Sequence, residues 1–238
     1  MIITGAGSGI GRATAVNLSG RGCRLVLNGR RVEPLEETAR MLPGTARVVA
    51  GDIADPATSE KLIAEAVQAF GRLDGIVSNA GWAPCMPIER HTPEIIRQTF
   101  EVNALGPAYL FAAGWKQFHA QNTKDHGAGN KVSGGCIVLV SSMATLDPFP
   151  GLFAYAAAKS SLNSMARSAL AESSDLGIRC FVVAPGAVET TMLRGVVDRD
   201  LLPTERALLP EQVAEVIAEC VAGLRDEQVG QTLVLPSP

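Results

Sequence analysis

Short apolar runs alternate with longer stretches of helix-forming residues along almost the whole chain, and this alternation limits the folds open to it. Parallel strands in one sheet need long crossover connections, which are usually helices and run right-handed. The sequence therefore predicts an α/β fold with a single doubly wound parallel sheet of about seven strands and helices on both faces. The predicted strands cover residues 2–3, 24–28, 46–50, 73–78, 136–140, 178–183 and 231–235. The predicted helices cover residues 12–18, 34–42, 56–70, 92–121 and 210–224, and one more runs through 155–159 to about 173.

Size and charge restrict the class of protein. The chain has 238 residues, of which 47% are hydrophobic, and this is enough for one large core, so we expect one domain over residues 1–238. Against 24 Asp and Glu it has 21 Lys and Arg, with no basic block that would follow a phosphate backbone, so nucleic acid is not an expected partner. The first residues do not resemble a signal peptide, and no apolar run approaches the roughly 18 residues of a membrane span. We expect no membrane association and a cytoplasmic location.

The five cysteines and three histidines show no pattern typical of a metal site. The cysteines are scattered without Cys-x-x-Cys spacing, which favours reduced thiols. The histidines, His91, His119 and His126, lack ligand spacing as well, and we expect them at the surface. No metal is predicted.

A glycine-rich turn joins the first strand to the first helix. Its residues are Gly5, Gly7, Ser8, Gly9, Ile10 and Gly11. Glycines at such a turn let a pyrophosphate approach the backbone, and free N–H groups at the helix N-terminus meet its charge. An ordinary strand-to-helix loop is the alternative reading of this motif taken alone.

The ends of the second and third predicted strands bear on which dinucleotide would bind. Arg30 and Arg31 follow the second strand, where an acidic residue would hold the ribose 2′-hydroxyl of NAD. Two guanidiniums suit a 2′-phosphate, so NADP(H) is preferred and NAD(H) remains possible, unless the arginines merely cap a surface turn. Asp52 and Ile53 follow the third strand, and the carboxylate could accept from the adenine amino group or cap the next helix.

Small residues and a helix interruption come next. Asn79, Ala80 and Gly81 end the fourth predicted strand and permit close approach of a ligand to the backbone. Gly106-Pro107 interrupts the helix that follows, and since proline has no N–H, the carbonyl of Asn103 loses its helical donor. The residues leave open an ordinary kink or a main-chain acceptor held for a water or a cation.

Tyr155 and Lys159 lie four residues apart in a run of good helix formers, so they share one helix face. An ammonium near a phenol favours the phenolate, which would lower the tyrosine pKa from about 10 toward a useful range. Ser141 and Ser142 end the fifth strand and could hold a substrate oxygen against the tyrosine. A solvated helix face is the plainer alternative.

Two long connections complete the pattern. Residues 121–135 are polar and are predicted to form an exposed loop, whereas residues 187–209 are long and mixed and are predicted to form a substrate lid. Because ligands bind at the carboxyl ends of parallel strands, the candidate residues at those ends should converge on one crevice.

Together these motifs resemble the short-chain dehydrogenase/reductase family over nearly the whole chain. The matching motifs are Thr4-Gly5-x-x-x-Gly9-Ile10-Gly11, Asn79-Ala80-Gly81, Ser142 with Tyr155-x-x-x-Lys159, and Pro185-Gly186-x-x-x-Thr190. The resemblance implies one NAD(P)-binding Rossmann-fold domain.

It also implies roles for individual residues. Tyr155 would be the general acid/base, Ser142 rather than Ser141 would orient the carbonyl, and Lys159 would bind the nicotinamide ribose and lower the tyrosine pKa. Asn103 would hold a proton-relay water through its carbonyl. Asp52 would contact adenine, Val188 and Thr190 would fix the carboxamide, and Pro185 and Gly186 would begin that loop. Two features differ from the family: only Met1 precedes the first strand, and the chain ends in Pro236-Ser237-Pro238 without Asp-Gly-Gly.

The expected activity is an NADP(H)-dependent oxidoreductase acting on a carbonyl or secondary alcohol, with 3-oxoacyl-carrier-protein reductase as a specific case. The alternative is a non-catalytic NADP(H)-binding regulatory or scaffold protein; a serine hydrolase is disfavoured because Ser142 lacks a Gly-x-Ser-x-Gly elbow. Mostly apolar candidate pocket residues predict an apolar or amphipathic small-molecule substrate, unless they are core. They are Trp82, Met86, Leu146, Phe149, Leu152, Phe153, Met192 and Leu193. The resemblance implies a homotetramer built from the helices around Asn103 and Tyr155.

Overall fold

The structure, a computed structural model, describes the backbone of residues 1–127, 134–173 and 176–238, and the side chains of all of these except 124–127. The strands are β1 (Ile2–Thr4), β2 (Leu25–Gly29), β3 (Ala46–Ala50), β4 (Gly75–Ser78), β5 (Gly135–Val140), β6 (Ile178–Pro185) and β7 (Thr232–Leu235). The helices are α1 (Gly9–Gly20), α2 (Val32–Met41), α3 (Pro56–Phe70), α4 (Pro93–Phe100), α5 (Gly106–Gly127), α6 (Phe153–Glu172), α7 (Thr191–Arg194) and α8 (Pro210–Ala222).

All seven strands pair in parallel in one sheet with the order β3-β2-β1-β4-β5-β6-β7. Strand β1 lies between β2 and β4, with Ile2 opposite both Val26 and Ile76. Strands β2 and β3 therefore extend the sheet on one side of β1, and strands β4 to β7 extend it on the other side. A ligand crevice forms at such a reversal, outside the carboxyl ends of the strands. The predicted doubly wound Rossmann-type sheet is confirmed.

The two faces of the sheet carry separate cores. Successive strand residues point to opposite faces, so Ile3 packs in one core with Leu18 of α1 and Ile217 of α8. Its neighbour Ile2 packs in the other core with Leu62 of α3 and Leu162 of α6. Strand β5 is buried along its whole length, as expected for a parallel strand covered on both faces. This rigid centre holds the ends of β1, β4 and β5 in place.

Two local predictions along α5 need correction. The exposed loop predicted over 121–135 is wrong as far as Gly127, because α5 continues to that residue, and Gly135 already belongs to β5. Residues 128–133 of that prediction lie outside the described residues. At the predicted Gly106-Pro107 interruption the helix instead widens into a π-helical turn over Glu101–Leu105, in which the Gly106 N–H donates to the carbonyl of Glu101.

The segment 187–209, predicted to be irregular, is closed at its base by backbone hydrogen bonds. Leu208 donates to Ala187 at 2.8 Å and Glu189 donates to Leu208 at 2.8 Å. Helix α7 lies between these ends, and a 3-10 turn covers Thr204–Arg206. The two ends of the segment are therefore joined by backbone hydrogen bonds, and the segment contains two short helical turns.

No helix in the described ranges is both long and apolar enough to cross a membrane. The same residues contain no group of three or more His, Cys, Asp and Glu that could hold a metal ion.

Candidate active site

Helix α6 brings the Tyr155–Lys159 pair against the end of β5. The Lys159 side chain is only 2% exposed, and its Nζ donates to the carbonyl oxygen of Val140 at 2.7 Å. Its Nζ also lies 5.9 Å from the centroid of the Tyr155 ring. Because the two residues are one turn apart on α6, both face the carboxyl end of the sheet.

Burial shifts the pKa values of this pair. Desolvation lowers the pKa of Lys159 from 10.5 to about 8. Desolvation raises the pKa of Tyr155 from 10.0 to about 12, and a side-chain hydrogen bond with Ser142 partly opposes that rise. In the chain by itself the pKa of Tyr155 is therefore raised, opposite to the lowering expected from the nearby ammonium, because burial is the largest cause of the shift.

The two serines after β5 have different environments. Ser141 is 2% exposed, and its hydroxyl donates to the backbone carbonyl of Lys159 at 3.2 Å, so it ties β5 to α6. Ser142 is partly exposed, and its Oγ accepts from the N–H of Ala144 at 3.1 Å. An oxygen that keeps its own proton and remains accessible can contact a substrate, so Ser142 is the better candidate.

The buried Asn103 supports the loop after β4. Its Oδ1 accepts from the Trp82 N–H at 3.1 Å, and its Nδ2 donates to the Trp82 carbonyl at 2.7 Å and to the Thr99 carbonyl at 2.9 Å. A Cβ added at Gly81 would lie 3.0 Å from Asn103 Oδ1 and 3.5 Å from Lys159 Nζ. Asn103, Gly81 and Lys159 are thus brought together, although they lie far apart in sequence.

The glycine-rich turn fits closely against β4. A Cβ at Gly11 would lie 2.2 Å from the Gly5 carbonyl oxygen, and Gly5 has a positive φ of 65°, so each position requires glycine. Asn79 Nδ2 donates to the Thr4 carbonyl at 3.0 Å, and Thr4 Oγ1 accepts from the N–H of both Asn79 and Ala80 at 3.0 Å. The end of β4 is therefore fastened to the end of β1.

Beside this turn, the first N–H groups of α1 remain available. Ser8 occupies the N-cap position, is exposed and makes no side-chain cap bond. Arg12 braces the turn from behind by donating to the Gly7 carbonyl at 2.6 Å and, through Nε, to Thr38 Oγ1 at 3.0 Å. A groove of about 1060 Å³ opens beside Ser8, Gly9 and Thr190, but its lining does not include Tyr155 or Lys159. The groove thus borders the phosphate-binding end of the expected site rather than the reacting end.

Residues at the ends of β2 and β3 face solvent. Arg30 and Arg31 are exposed, and neither forms an ion pair with a described residue. Arg31 occupies the N-cap position of α2 without a side-chain cap bond, which weakens the plain capping alternative. Asp52 accepts from the Ala54 N–H at 3.0 Å, whereas the cap of α3 is Asp55, so the helix-cap alternative for Asp52 is wrong. Ile53 is buried with 4% exposure.

The segment after β6 meets the glycine-rich turn. Pro185 ends β6, and the Gly186 N–H donates to the Leu235 carbonyl at 2.9 Å. Val188 is 5% exposed, so its side chain belongs to the core and only its main chain can face a ligand. Thr190 Oγ1 accepts from the Leu193 N–H at 3.2 Å, which caps α7, and a Cβ at Gly9 would lie 2.9 Å from Thr190 Cγ2. The loop after β1 therefore lies against the loop after β6.

The candidate pocket residues do not belong to the buried core. Leu146, Phe149, Phe153 and Met192 are 43–59% exposed. The other four, Trp82, Met86, Leu152 and Leu193, are partly buried. The His91 ring packs edge-on against Phe153 with the centroids 5.5 Å apart, and the Met86 N–H donates to the Gly151 carbonyl at 3.0 Å. The loops after β4 and β5 thus contact each other and present apolar side chains to solvent.

Sequence reasoning missed several residues that hold the site together. It named Thr4 only as part of a motif, gave no role to Arg12 or the Val140 carbonyl, and overlooked Thr145 and Asn163. Asn163 follows Lys159 by four residues, so the same helical spacing that identified the Tyr155 pair could have found it. A backbone acceptor such as Val140 leaves no signal in a sequence.

Comparisons with known proteins agree with this geometry. The family model described as short chain dehydrogenase matches residues 1–200. An uncharacterized oxidoreductase of Listeria monocytogenes is 30% identical, covering 100% of this chain and 96% of that protein. Versicolorin reductase 1 of Aspergillus parasiticus is 31% identical over 222 residues, covering 91% of this chain and 79% of that protein. A crystal structure of 3-ketoacyl-(acyl-carrier-protein) reductase from Brucella melitensis, complexed with NADH, superposes with a TM-score of 0.89 at 27% identity, covering 99% of this chain and 95% of that chain.

The fold and the arrangement at the strand ends define a nicotinamide-dependent class of α/β oxidoreductases. The chain belongs to the short-chain dehydrogenase family.

Proposed function

We propose that the protein is an NADP(H)-dependent oxidoreductase that interconverts a carbonyl and a secondary alcohol. The observation that carries the proposal is the convergence of Ser142, Tyr155 and Lys159 where β5 and α6 meet, next to a glycine turn that leaves helix N–H groups free. A proton donor and an accessible hydroxyl beside a dinucleotide site are what carbonyl reduction requires.

The residues present fit a dinucleotide. Gly5, Gly9 and Gly11 leave the turn without side chains, and the turn is packed so closely that a Cβ at any of the three would lie within 3.0 Å of a neighbouring atom. The free N–H groups at the start of α1 would hold its pyrophosphate, Asp52 and Ile53 would contact the adenine end, and the backbone of Asn79, Ala80 and Gly81 would border it. When bound, the nicotinamide supplies the hydride.

Within this proposal each catalytic side chain has a separate task. Tyr155 gives the proton to the carbonyl oxygen, and Ser142 donates a hydrogen bond that holds this oxygen against the tyrosine. Lys159, with a pKa of about 8, stabilises the phenolate left behind and would hold the nicotinamide ribose. The Asn103 side chain supports the loop after β4 by donating to the Trp82 carbonyl. Because Pro107 has no N–H to donate to the Asn103 backbone carbonyl, that carbonyl would hold a relay water.

The preference for NADP(H) over NAD(H) rests on Arg30 and Arg31. Both guanidiniums are exposed at the end of β2 and free of ion pairs with described residues, so they can bind a 2′-phosphate without first breaking a contact. No carboxylate stands at these two positions to receive the 2′-hydroxyl of NAD.

The substrate is proposed to be an apolar or amphipathic carbonyl compound. The exposed apolar side chains of Leu146, Phe149, Phe153 and Met192 support this choice. The segment 187–209 would act as a lid over it, because its base is pinned while its apolar Met192 and Leu201 remain exposed. A 3-oxoacyl-carrier-protein reductase is a specific case, supported by the fold of the Brucella melitensis enzyme.

A homotetramer in the cytoplasm is the proposed assembly and location. A groove of about 700 Å³ between α5 and α6 is lined by the partly buried Phe111, Trp115 and Met165, and the centroids of the first two rings lie 5.7 Å apart. An apolar groove on the helices near Asn103 and Tyr155 would suit a subunit interface, which light scattering would test. All five cysteines are free, as expected for a reducing compartment.

The experiment that tests the activity titrates purified protein with NADPH and NADH and then follows cofactor oxidation over a panel of ketones. Tyr155→Phe should keep cofactor binding and lose turnover by at least about a hundredfold. Tyr109→Phe, which changes the other tyrosine, should leave both unchanged. Tight NADPH binding with no turnover on any ketone or alcohol would favour the regulatory or scaffold alternative. Reduction of small diketones without reduction of a 3-oxoacyl thioester would exclude the specific case.

A further inference from the structure

The turn that follows β5 is fastened to helix α6 by a chain of three side-chain and backbone groups. Asn163 Nδ2 donates to Thr145 Oγ1 at 3.1 Å, and Thr145 Oγ1 donates to the Ser142 carbonyl at 2.8 Å. The Thr145 N–H also donates to the same carbonyl, at 3.1 Å. The Ser142 carbonyl therefore accepts two hydrogen bonds from Thr145, and Thr145 is in turn bound by Asn163 of α6.

Helix α6 contacts the end of β5 along one stripe. Tyr155, Lys159 and Asn163 follow each other at four-residue intervals, so their side chains lie above one another on the same face. Tyr155 meets the Ser142 side chain, Lys159 meets the Val140 carbonyl, and Asn163 meets Thr145. The third contact therefore continues the catalytic stripe by one turn.

The direction of the hydrogen bond between Asn163 and Thr145 follows from where the Thr145 proton goes. A threonine hydroxyl has one proton, and Thr145 gives it to Ser142, so toward Asn163 it can only accept. The Asn163 amide must therefore present its N–H₂ group, and its Oδ1 is left buried with no hydrogen-bond partner among the described residues. If the amide were turned over, the Thr145 proton would have to leave the Ser142 carbonyl to reach the amide oxygen.

We propose that Thr145 and Asn163 are positioning residues that hold the Ser142 hydroxyl at the distance from Tyr155 that carbonyl reduction needs. This inference rests on the proposed function for its catalytic meaning, but the hydrogen bonds it invokes exist in the protein alone. The two residues act through Ser142: among the described residues, their side chains hydrogen-bond only to each other and to the Ser142 carbonyl.

Three substitutions separate this role from ordinary packing. Thr145→Val keeps the shape and removes the hydroxyl, whereas Thr145→Ser keeps the hydroxyl and removes a methyl group. Asn163→Asp keeps the shape of the side chain but presents only acceptor oxygens, so the Thr145 proton turns toward it and leaves the Ser142 carbonyl. Ser160→Ala is the matched control, because the Ser160 hydroxyl bonds only to Ala156 on the exposed side of the same helix.

The first readout is the ¹³C signal of the Tyr155 Cζ in cofactor-free protein labelled with ¹³Cζ-tyrosine. The chain has two tyrosines, so Tyr155→Phe assigns the signal, and Ser142→Ala gives the shift that marks loss of the hydrogen bond. Thr145→Val and Asn163→Asp should move the signal toward the Ser142→Ala position. Thr145→Ser and Ser160→Ala should leave it in place. A wild-type signal in Thr145→Val would overturn the inference whether or not the protein turns over a substrate.

The second readout uses alcohol oxidation by the cofactor-loaded enzyme. Thr145→Val should lower kcat about tenfold, corresponding to one lost hydrogen bond, and move the alkaline rise of the rate to higher pH, while KM for the cofactor stays unchanged. Thr145→Ser should restore kcat and the pH profile. If both Thr145 variants lost kcat and the pH profile did not move, Thr145 and Asn163 would contribute only packing, and the inference would be wrong. A wild-type protein without turnover would refute the proposed function, and the tyrosine signal would still decide the inference.

Discussion

The ammonium of Lys159 and the backbone carbonyl of Val140 lie 2.7 Å apart, inside the protein and away from water. This contact joins the middle of α6 to the last residue of β5 and fixes where the side chains of both elements point. No carboxylate is among the causes of the lysine pKa shift, which is due to burial alone. Burying the Lys159 ammonium therefore costs folding free energy, as is common at functional sites.

That cost predicts how stability depends on pH in the cofactor-free protein. The folded-state pKa of Lys159 is about 8 and the ordinary value is 10.5, so between these values the unfolded chain binds a proton that the folded chain does not. Stability from this group therefore rises with pH across that window. Lys159→Met should be more stable than the wild type at pH 7 by up to about 3 kcal/mol, and the gain should shrink by pH 10.

Urea unfolding of both proteins at intervals from pH 7 to pH 10 measures this difference. The buried cysteines and Tyr155 titrate in both proteins, so their contributions cancel in the comparison. A difference in unfolding free energy that stays constant with pH would show that Lys159 is not desolvated as described.

The fit of the glycine turn predicts the effect of adding one methyl group. Gly11→Ala would place a Cβ 2.2 Å from the Gly5 carbonyl oxygen and 2.6 Å from Asn79 Nδ2, so the turn must move away from β4. We expect loss of cofactor binding and a destabilisation of roughly 2 kcal/mol or more, measured by fluorescence titration and thermal unfolding. Gly20→Ala, at the other end of α1 where no neighbour lies within 4 Å, should leave both nearly unchanged. Equal behaviour of the two variants would contradict the close fit.

Arg30 and Arg31 predict a selective change in cofactor affinity. Arg30→Ala combined with Arg31→Ala should weaken NADPH binding by at least about tenfold and leave NADH binding nearly unchanged, because only NADPH carries the 2′-phosphate. Isothermal titration with each cofactor gives both numbers, and Arg40→Ala on the exposed part of α2 is the matched control. Equal losses for the two cofactors would mean that the arginines do not read the 2′ position.

The Glu189 carboxylate predicts the order of the segment 187–209. It accepts from Arg194 Nε at 3.0 and 3.1 Å and from Arg199 at 3.2 Å, and these contacts hold its pKa down at about 2. Arg194 Nη1 donates in turn to the Leu202 carbonyl at 2.8 Å, so one carboxylate links the base of the loop to its far side. Glu189→Gln removes the charge and should loosen the loop.

Limited digestion with trypsin measures this loosening, because the backbone around Arg194 and Arg199 must unfold locally before trypsin can cut it. We expect cleavage after these residues to be at least roughly threefold faster in Glu189→Gln than in the wild type. Glu205→Gln, an exposed carboxylate in the same segment, should digest at the wild-type rate. If Glu189→Gln and the wild type were cleaved equally fast, the ion pairs would not restrain the loop.

Much of the architecture was predictable because its signals are local. The apolar runs that became β2, β3 and β5 and the helical spacing of Tyr155 and Lys159 follow from neighbouring residues alone. The exposed loop predicted over 121–135 failed because polar residues can continue a surface helix, and α5 does so to Gly127. The lowered pKa of Tyr155 failed because spacing along a helix says nothing about how far a hydroxyl is removed from water.

The order of the strands and helices, and the residues at the strand ends, could be predicted from the amino-acid sequence alone. These depend on hydrophobic periodicity, on glycine and proline, and on side chains a few positions apart. Three features required the folded chain: β1 lies between β2 and β4, the Ser141 hydroxyl donates to the Lys159 carbonyl while Ser142 stays accessible, and Asn163 donates to Thr145. Contacts between distant segments depend on the packing of the whole sheet, and burial, which sets the pKa values of Tyr155 and Lys159, exists only once that packing is complete.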